Sequence, residues 1–209
     1  RIPSDAEREQ RSMAVTPTAK PTVTHVILDL DGTLINTEQL VDEVCSAIIH
    51  KYGDFTAKTV HEAMESVRGM RPLDGSQILI ERLQLKRPGE ADTSRLITAT
   101  ELLAETSVLL DARWGEVNMM PGAHRLLRFL AHHNIPTALA TSTPAKYLTK
   151  KMESHKGLLD TFRVICTGDE VTNGKPAPDI FLLAAERLGA DPATCLVVED
   201  TPLGVQVTP

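Results

Sequence analysis

Four short stretches of this 209-residue chain carry side chains that could do chemistry together. "HVILDLDGTLINTE", residues 25–38, runs from an apolar segment straight into Asp29 and Asp31. "ALATST" places hydroxyls at Thr141 and Ser142, "GDEVTNGKPAPD" an ammonium at Lys175, and "VVEDTPLGV" the neighbouring carboxylates Glu199 and Asp200. A carboxylate pair at the end of a buried segment is costly unless something positive compensates it. Carboxylates brought together would repel, whereas Mg²⁺ takes oxygen ligands of this kind. The threonine hydroxyl and lysine ammonium both suit phosphate oxygens. A carboxylate nucleophile, a hard cation and phosphate donors together describe phosphoryl transfer through an aspartyl-phosphate.

The elements needed to bring these groups together are visible in the hydrophobic pattern. Apolar runs over His25–Leu30, Pro136–Ala140, Arg163–Cys166 and Cys195–Val198 are too short for helices and lack strict alternation, as strands covered on both faces do. Helical periodicity separates the later runs. Ala123, Leu126, Leu127 and Leu130 share one face, and Thr143 and Pro144 offer an N-cap and first turn for the next helix. Ala184, Ala185 and Leu188 line a third helix, which Gly189 is placed to end. Strands alternating with amphipathic helices predict an α/β fold, a three-layer, Rossmann-like core on a parallel sheet. Each strand then ends in one of the reactive stretches, and ligands of such sheets sit outside the carboxyl ends of the strands.

Residues 36–119 break this alternation and carry only helical patterns: Leu40/Val44/Ala47/Ile48, Ala57/Val60/Met64/Val67, Ile78/Leu79/Leu83 and Leu96/Leu103/Leu110. They predict an inserted helical cap, with residues 22–35 and 120–209 forming the core. The first 21 residues mix both charges with Pro, Ser and Thr, and predict a disordered leader. With 42% hydrophobic and 24% charged residues the composition is that of a soluble globular protein. A net charge of −6 without a cluster of Lys and Arg argues against nucleic acid as a partner. No apolar run reaches the ~20 residues needed to span a bilayer, which argues against a membrane role. Cys45, Cys166 and Cys195 fit neither a disulfide framework nor a zinc spacing, and suit three buried thiols in the cytoplasm.

"DLDGTL", "ALATST", "GKPAPD" and "VVEDTPLGV" resemble, in order, the four motifs of the haloacid dehalogenase superfamily. "MMPGAHRLLRFLAHHNIPTALATST" and "NGKPAPDIFLLAAERL" are similar to the branch of pseudouridine-5'-phosphatases and plant FMN hydrolases fused to riboflavin kinase, with glycerol and sugar phosphate phosphatases as neighbours. The resemblance implies that Asp29 attacks phosphorus while its other oxygen binds Mg²⁺. It implies that Asp31 protonates the leaving alcohol, later deprotonates water, and ligates the metal through its backbone carbonyl. Thr141 would bond the phosphoryl group with Ser142 beside it, and Lys175 would neutralise both the phosphoryl group and Asp29. Glu199 and Asp200 would hold the metal, Asp200 more firmly. "SVRGMRPLDG" resembles the cap loop that selects substrates, which makes Arg68, Gly69 and Arg71 candidates for substrate contact.

An acid at position 31 suits an alkoxide leaving group, so hydrolysis of a small phosphate ester is favoured over dehalogenation, with phosphomutase as the alternative. Asp179 reads as a charge at a helix start and Trp114 as packing for the cap. Relatives continue past the equivalent of Gln206 with a helix and a strand. A truncated chain, a non-catalytic binding form, or a place within a longer fused chain are therefore expectations too, and Leu196–Val198 is expected as an exposed apolar edge.

Overall fold

The structure, a computed structural model, describes residues 22–89, 95–155 and 157–206; the expected leader lies outside the described residues. Strands β1 (His25–Leu28), β2 (Thr137–Thr141), β3 (Val164–Thr167) and β4 (Cys195–Val198) form one parallel sheet in the order β3-β2-β1-β4. Three expected strands are displaced by a residue or two. β1 stops at Leu28 because the chain turns back on itself: Leu34 and Ile35 donate to the Leu30 carbonyl and Gly32 donates to that of Ile35.

Alternation along the strands separates two apolar layers. Val26, Leu28 and Leu139 pack on α5 (Ala123–His132) and α6 (Ala145–Lys151) through Leu127, Leu130 and Leu148. Ile27, Ala138 and Ala140 face the other way, onto Ile180, Phe181 and Ala184 of α7 (Asp179–Leu188). A last short helix, α8 (Pro202–Val205), follows β4 and is capped by the Thr201 hydroxyl, which accepts from the Gly204 N–H at 3.1 Å. Asp179 does stand in the first turn of α7, and Gly189 ends that helix with φ 69°.

Between β1 and α5 the chain forms α1 (Glu38–Ile49), α2 (Ala57–Glu65), α3 (Pro72–Leu83) and α4 (Ala99–Asp111). These four have an apolar cluster of their own that includes Ile48, Val60, Leu79 and Leu102. Helix α1 joins the two bodies, for Leu40 and Val44 pack into the sheet's cluster and Ile48 and Ile49 into the helical one. The outgoing and returning chains pair through Asn36 N to Asn118 O, 2.8 Å, and Met120 N to Leu34 O, 2.9 Å.

Ala47 and Ala57, expected on buried faces, are exposed. Trp114, expected to pack the helical insertion, belongs to the sheet-side cluster. Thr143 does not cap α6; Pro144 occupies that position, and the Ala145 N–H is instead accepted by Asp169 at 2.9 Å. Cys166 is buried as expected, whereas Cys45 and Cys195 are only partly so. No helix among the described residues is long and apolar enough to cross a membrane.

The sheet's edge differs sharply from its centre. Leu139 is fully buried, while Leu196 on β4 is 47% exposed. Leu139→Ala should therefore cost about 2–5 kcal/mol, and Leu196→Ala no more than about 0.5 kcal/mol. Urea unfolding checks this as a lower midpoint at unchanged slope for the first variant alone.

Candidate active site

Pairing of β1 with β4 sets the first and last reactive stretches side by side. Leu28 is in register with Val198, the Asp29 N–H donates to the Val198 carbonyl at 3.0 Å, and Glu199 and Asp200 follow at once. Oxygens of Asp29, Glu199 and Asp200 lie within 4.8 Å of one another. Into this group reaches Lys175, whose Nζ donates to Asp29 Oδ1 at 2.7 Å and to Glu199 Oε2 at 2.6 Å. The other Glu199 oxygen accepts from the Thr201 hydroxyl at 2.6 Å and the Thr201 N–H at 3.2 Å. Both oxygens of Glu199 are thus engaged in holding Lys175 and the turn into α8.

Asp200 accepts from the Thr33 hydroxyl at 3.0 Å. Its carboxylate leaves no room at residue 32: a Cβ there would stand 2.2 Å from Asp200 Oδ2, and φ is +78°. Only glycine satisfies both conditions.

Charge is unevenly matched here. Burial pushes the Asp29 carboxyl up, Lys175 pulls it down, and the Glu199 and Asp31 charges push it up again, to about 7. Burial likewise raises Asp200. Burial opposes the Lys175 ammonium, but the Asp29 and Glu199 charges more than reverse that and raise its pKa. One ammonium facing three carboxylates leaves an excess of negative charge. Hard oxygen donors in that state fit a Mg²⁺ ion.

Asp31 points elsewhere. Oδ1 accepts from Thr37 and Oδ2 from Thr143, at 2.8 and 2.9 Å, and Lys151 Nζ donates to both oxygens at 2.8 and 2.9 Å. Burial pushes this carboxyl up, yet Lys151 and the two hydroxyls more than offset it and hold it below its ordinary value. Sequence reasoning missed Lys151, Thr37 and Thr143. A signal for Lys151 was present: it lies three residues after buried Leu148 and one before buried Met152, on the inward stripe of its helix.

Among the other expected residues, Thr141 is fully buried and accepts from the Thr143 N–H at 3.1 Å, outside the cavity wall. Ser142 donates to the Gly69 carbonyl at 2.8 Å. Gly69, φ +82°, rests so close to Thr201 that a Cβ would meet its hydroxyl at 2.7 Å. Arg71 donates to the Val171 and Thr172 carbonyls at 3.2 Å and to Asp74, and Arg68 pairs with Glu38, Asp42 and Glu65. Both guanidinium groups have protein partners, yet both line a cavity of about 230 Å³. That cavity runs between the sheet and the helical insertion, with Asp29, Asp31, Thr143 and Lys151 in its wall opposite a set that includes Val41, Leu79, Leu103 and Leu110.

Residues 23–207 match the family model described as haloacid dehalogenase-like hydrolase. The chain belongs to that family. Among haloacid dehalogenase-like relatives, "Bifunctional riboflavin kinase/FMN phosphatase" of Arabidopsis thaliana is 36% identical across 92% of this chain and 48% of that protein. "Probable pseudouridine-5'-phosphatase" of Drosophila melanogaster is 38% identical across 88% of this chain and 76% of that protein. The chain thus spans about half the length of the first of these curated relatives and three quarters of the second. A crystal structure of a hydrolase from Pseudomonas syringae superimposes with a TM-score of 0.71 at 25% identity, covering 88% of this chain and 80% of that one.

The charge excess predicts how a cation acts on this haloacid dehalogenase-like fold. Asp29 has a folded pKa of about 7 against an ordinary 3.8. Its raised value favours the protonated folded form, so its contribution to stability is present below pH 3.8 and lost as the pH rises through about 7. Mg²⁺ requires the ionised form, so added Mg²⁺ should raise the melting temperature more at about pH 7.5 than at about pH 5.5. Thermal melts with and without MgCl₂ at the two pH values check this.

Proposed function

We propose that the chain is a Mg²⁺-dependent hydrolase of small phosphate monoesters that works through a phosphoryl group carried on Asp29. The observation that supports this most is the separation of the two carboxylates: Asp29 is paired with Lys175 at 2.7 Å beside Glu199 and Asp200, and Asp31 with Lys151 at 2.8 Å. Asp29 and Asp200, with the Asp31 backbone carbonyl, would hold Mg²⁺, and Glu199 acts through Lys175. When bound, the cation supplies positive charge for the phosphoryl oxygens and for the ionised nucleophile.

In the first half of the reaction an Asp29 oxygen bonds to phosphorus. The ester P–O bond breaks, and its electron pair leaves with the alcohol oxygen. That oxygen takes a proton from Asp31, a carboxylate in the free protein that takes this proton up from solvent when the phosphoryl dianion binds beside it. In the second half Asp31 removes a proton from water, and the water oxygen attacks phosphorus. The P–O bond to Asp29 breaks, freeing phosphate and restoring both carboxyl groups to their starting states. Thr141 supports the loop beneath the phosphoryl site, and Ser142 anchors the helical insertion above it. The resulting division is a core of residues 22–35 and 120–206 under a cap of residues 36–119. Three free thiols suit a cytoplasmic setting.

The cavity wall suggests the rest of the substrate. Val41, Leu79, Leu103, Leu110 and Trp114 give it a largely apolar surface. A heteroaromatic ring has an apolar face to lay against these side chains, with its polar edge toward Ser76, Thr106 and the guanidinium groups, whereas a polyol has no such face. FMN and pseudouridine 5'-phosphate therefore rank above glycerol 3-phosphate and hexose phosphates. Release of phosphate from these four classes tests the reading. FMN or the pseudouridine ester should give the highest kcat/KM. Asp29→Asn should lower turnover by more than about 10³-fold while the protein stays folded. Retained activity in that variant would end the mechanism, and an isomerised ester in place of free phosphate would point to a mutase.

A further inference from the structure

We infer that Lys151 is the positioning residue for the Asp31 proton shuttle, a second lysine whose role is separate from that of Lys175. The inference rests on the phosphatase reading above and concerns how its acid is held.

Lys151 stands at the last position of α6, where a lysine ordinarily reaches into water and favours the helix C-terminus. Its neighbour Lys150 does so, with a half-exposed side chain pairing with Asp111 at 2.9 Å. The Lys151 side chain is only 9% exposed. An ammonium is not buried in that way without partners for its three hydrogens. It has three: Asp31 Oδ1 at 2.8 Å, Asp31 Oδ2 at 2.9 Å and Thr143 Oγ1 at 2.8 Å. Beneath it the Trp114 ring centre lies 5.0 Å away, within reach of a cation–π contact.

The partners converge from three parts of the chain. Thr37 comes from the start of α1, Thr143 from the loop after β2, and Lys151 from the end of α6. Together they give each Asp31 oxygen two donors, which fixes both the position and the plane of the carboxyl group. All four residues line the cavity that also touches Asp29. Lys175 contacts Asp29 and Glu199, so Asp31 is oriented by its own cation on the side where a leaving alcohol would lie. No hydrogen bond or ion pair joins Lys151 to Asp29, and its effect on the reaction passes through Asp31.

The test compares wild type, Lys151→Met, Asp31→Asn and the double variant on two substrates. One is an alkyl phosphate, whose departing alkoxide needs a proton. The other is p-nitrophenyl phosphate, whose phenolate does not. Lys151→Met should lower kcat on the alkyl ester by at least about 10²-fold and leave KM within about threefold, with less than about tenfold loss on the aryl ester. In the Asp31→Asn background it should cost less than about threefold more. Equal losses on both esters, or a full further loss in the Asp31→Asn background, would overturn the inference. If Lys151→Met alone does not fold by circular dichroism, the comparison of Asp31→Asn with the double variant decides. That double variant removes both members of the buried pair together. No phosphate released from any ester by wild type would sink the phosphatase reading and this role with it, whereas wild-type turnover matched by Lys151→Met would sink this role alone.

Discussion

Three carboxylates meet one ammonium at the carboxyl end of a parallel sheet, and most of what surrounds them follows from that imbalance. The β1–β4 register makes the meeting unavoidable. One step beyond the paired residues Leu28 and Val198, each strand delivers a carboxylate, and Asp200 follows. Lys175 compensates only in part, because it serves Asp29 and Glu199 at once. Buried ion pairs of this kind are weak sources of stability, and removing one partner is strongly unfavourable. The arrangement is therefore not a device for holding the fold together; under the proposed function, a cation and a phosphoryl group complete it.

The same constraint explains why the two aspartates of one motif live in different surroundings. Two carboxylates served by one lysine would titrate as a coupled pair, and neither would keep a protonation state of its own. Here the intervening residue sends them to different lysines. Leu30 points into the apolar cluster, fully buried, and the flanking Asp29 and Asp31 take separate partners on separate elements. The Gly32 turn that follows is equally constrained, since the Asp200 carboxylate occupies the space a side chain would need.

Legibility in the sequence tracked how local each cause was. The parallel α/β core could be read because strand and helix periodicities are local, and β4 was placed to the residue. The motif residues could be located because each sits at a strand end, and three of the carboxylates are brought together. What escaped depended on partners distant in the chain. A lysine at the end of "TKK" looks solvated until Asp31, 120 residues away, is seen against it. Thr143 looks like a helix cap until its hydroxyl is needed by that pair. Glu199 reads as a metal ligand and does stand in the acidic group, but its hold on Lys175 and Thr201 was not legible. Leu103 and Leu110 read as a packed stripe, yet both line the cavity, Leu110 while also packing against the sheet-side cluster. Periodicity gives the face of a helix, not whether packing or a hollow lies opposite.

The helical insertion is tied to the core at points beside each reactive loop. Ser142, next to Thr141, donates to the Gly69 carbonyl, and Gly69 lies against Thr201, next to Asp200. Arg71 donates to the carbonyls of Val171 and Thr172, just ahead of Lys175. Arg68 instead binds the same loop to α1 through Glu38 and Asp42. The two arginines thus have complementary functions: one makes the loop rigid within the insertion, the other docks it on the core. The core-side acceptors of Arg71 are backbone carbonyls, whose positions are set by the fold. Displacing the insertion would therefore break contacts at the loops carrying Thr141, Lys175 and Asp200 together, which couples access to the cavity with the arrangement of the groups beneath it.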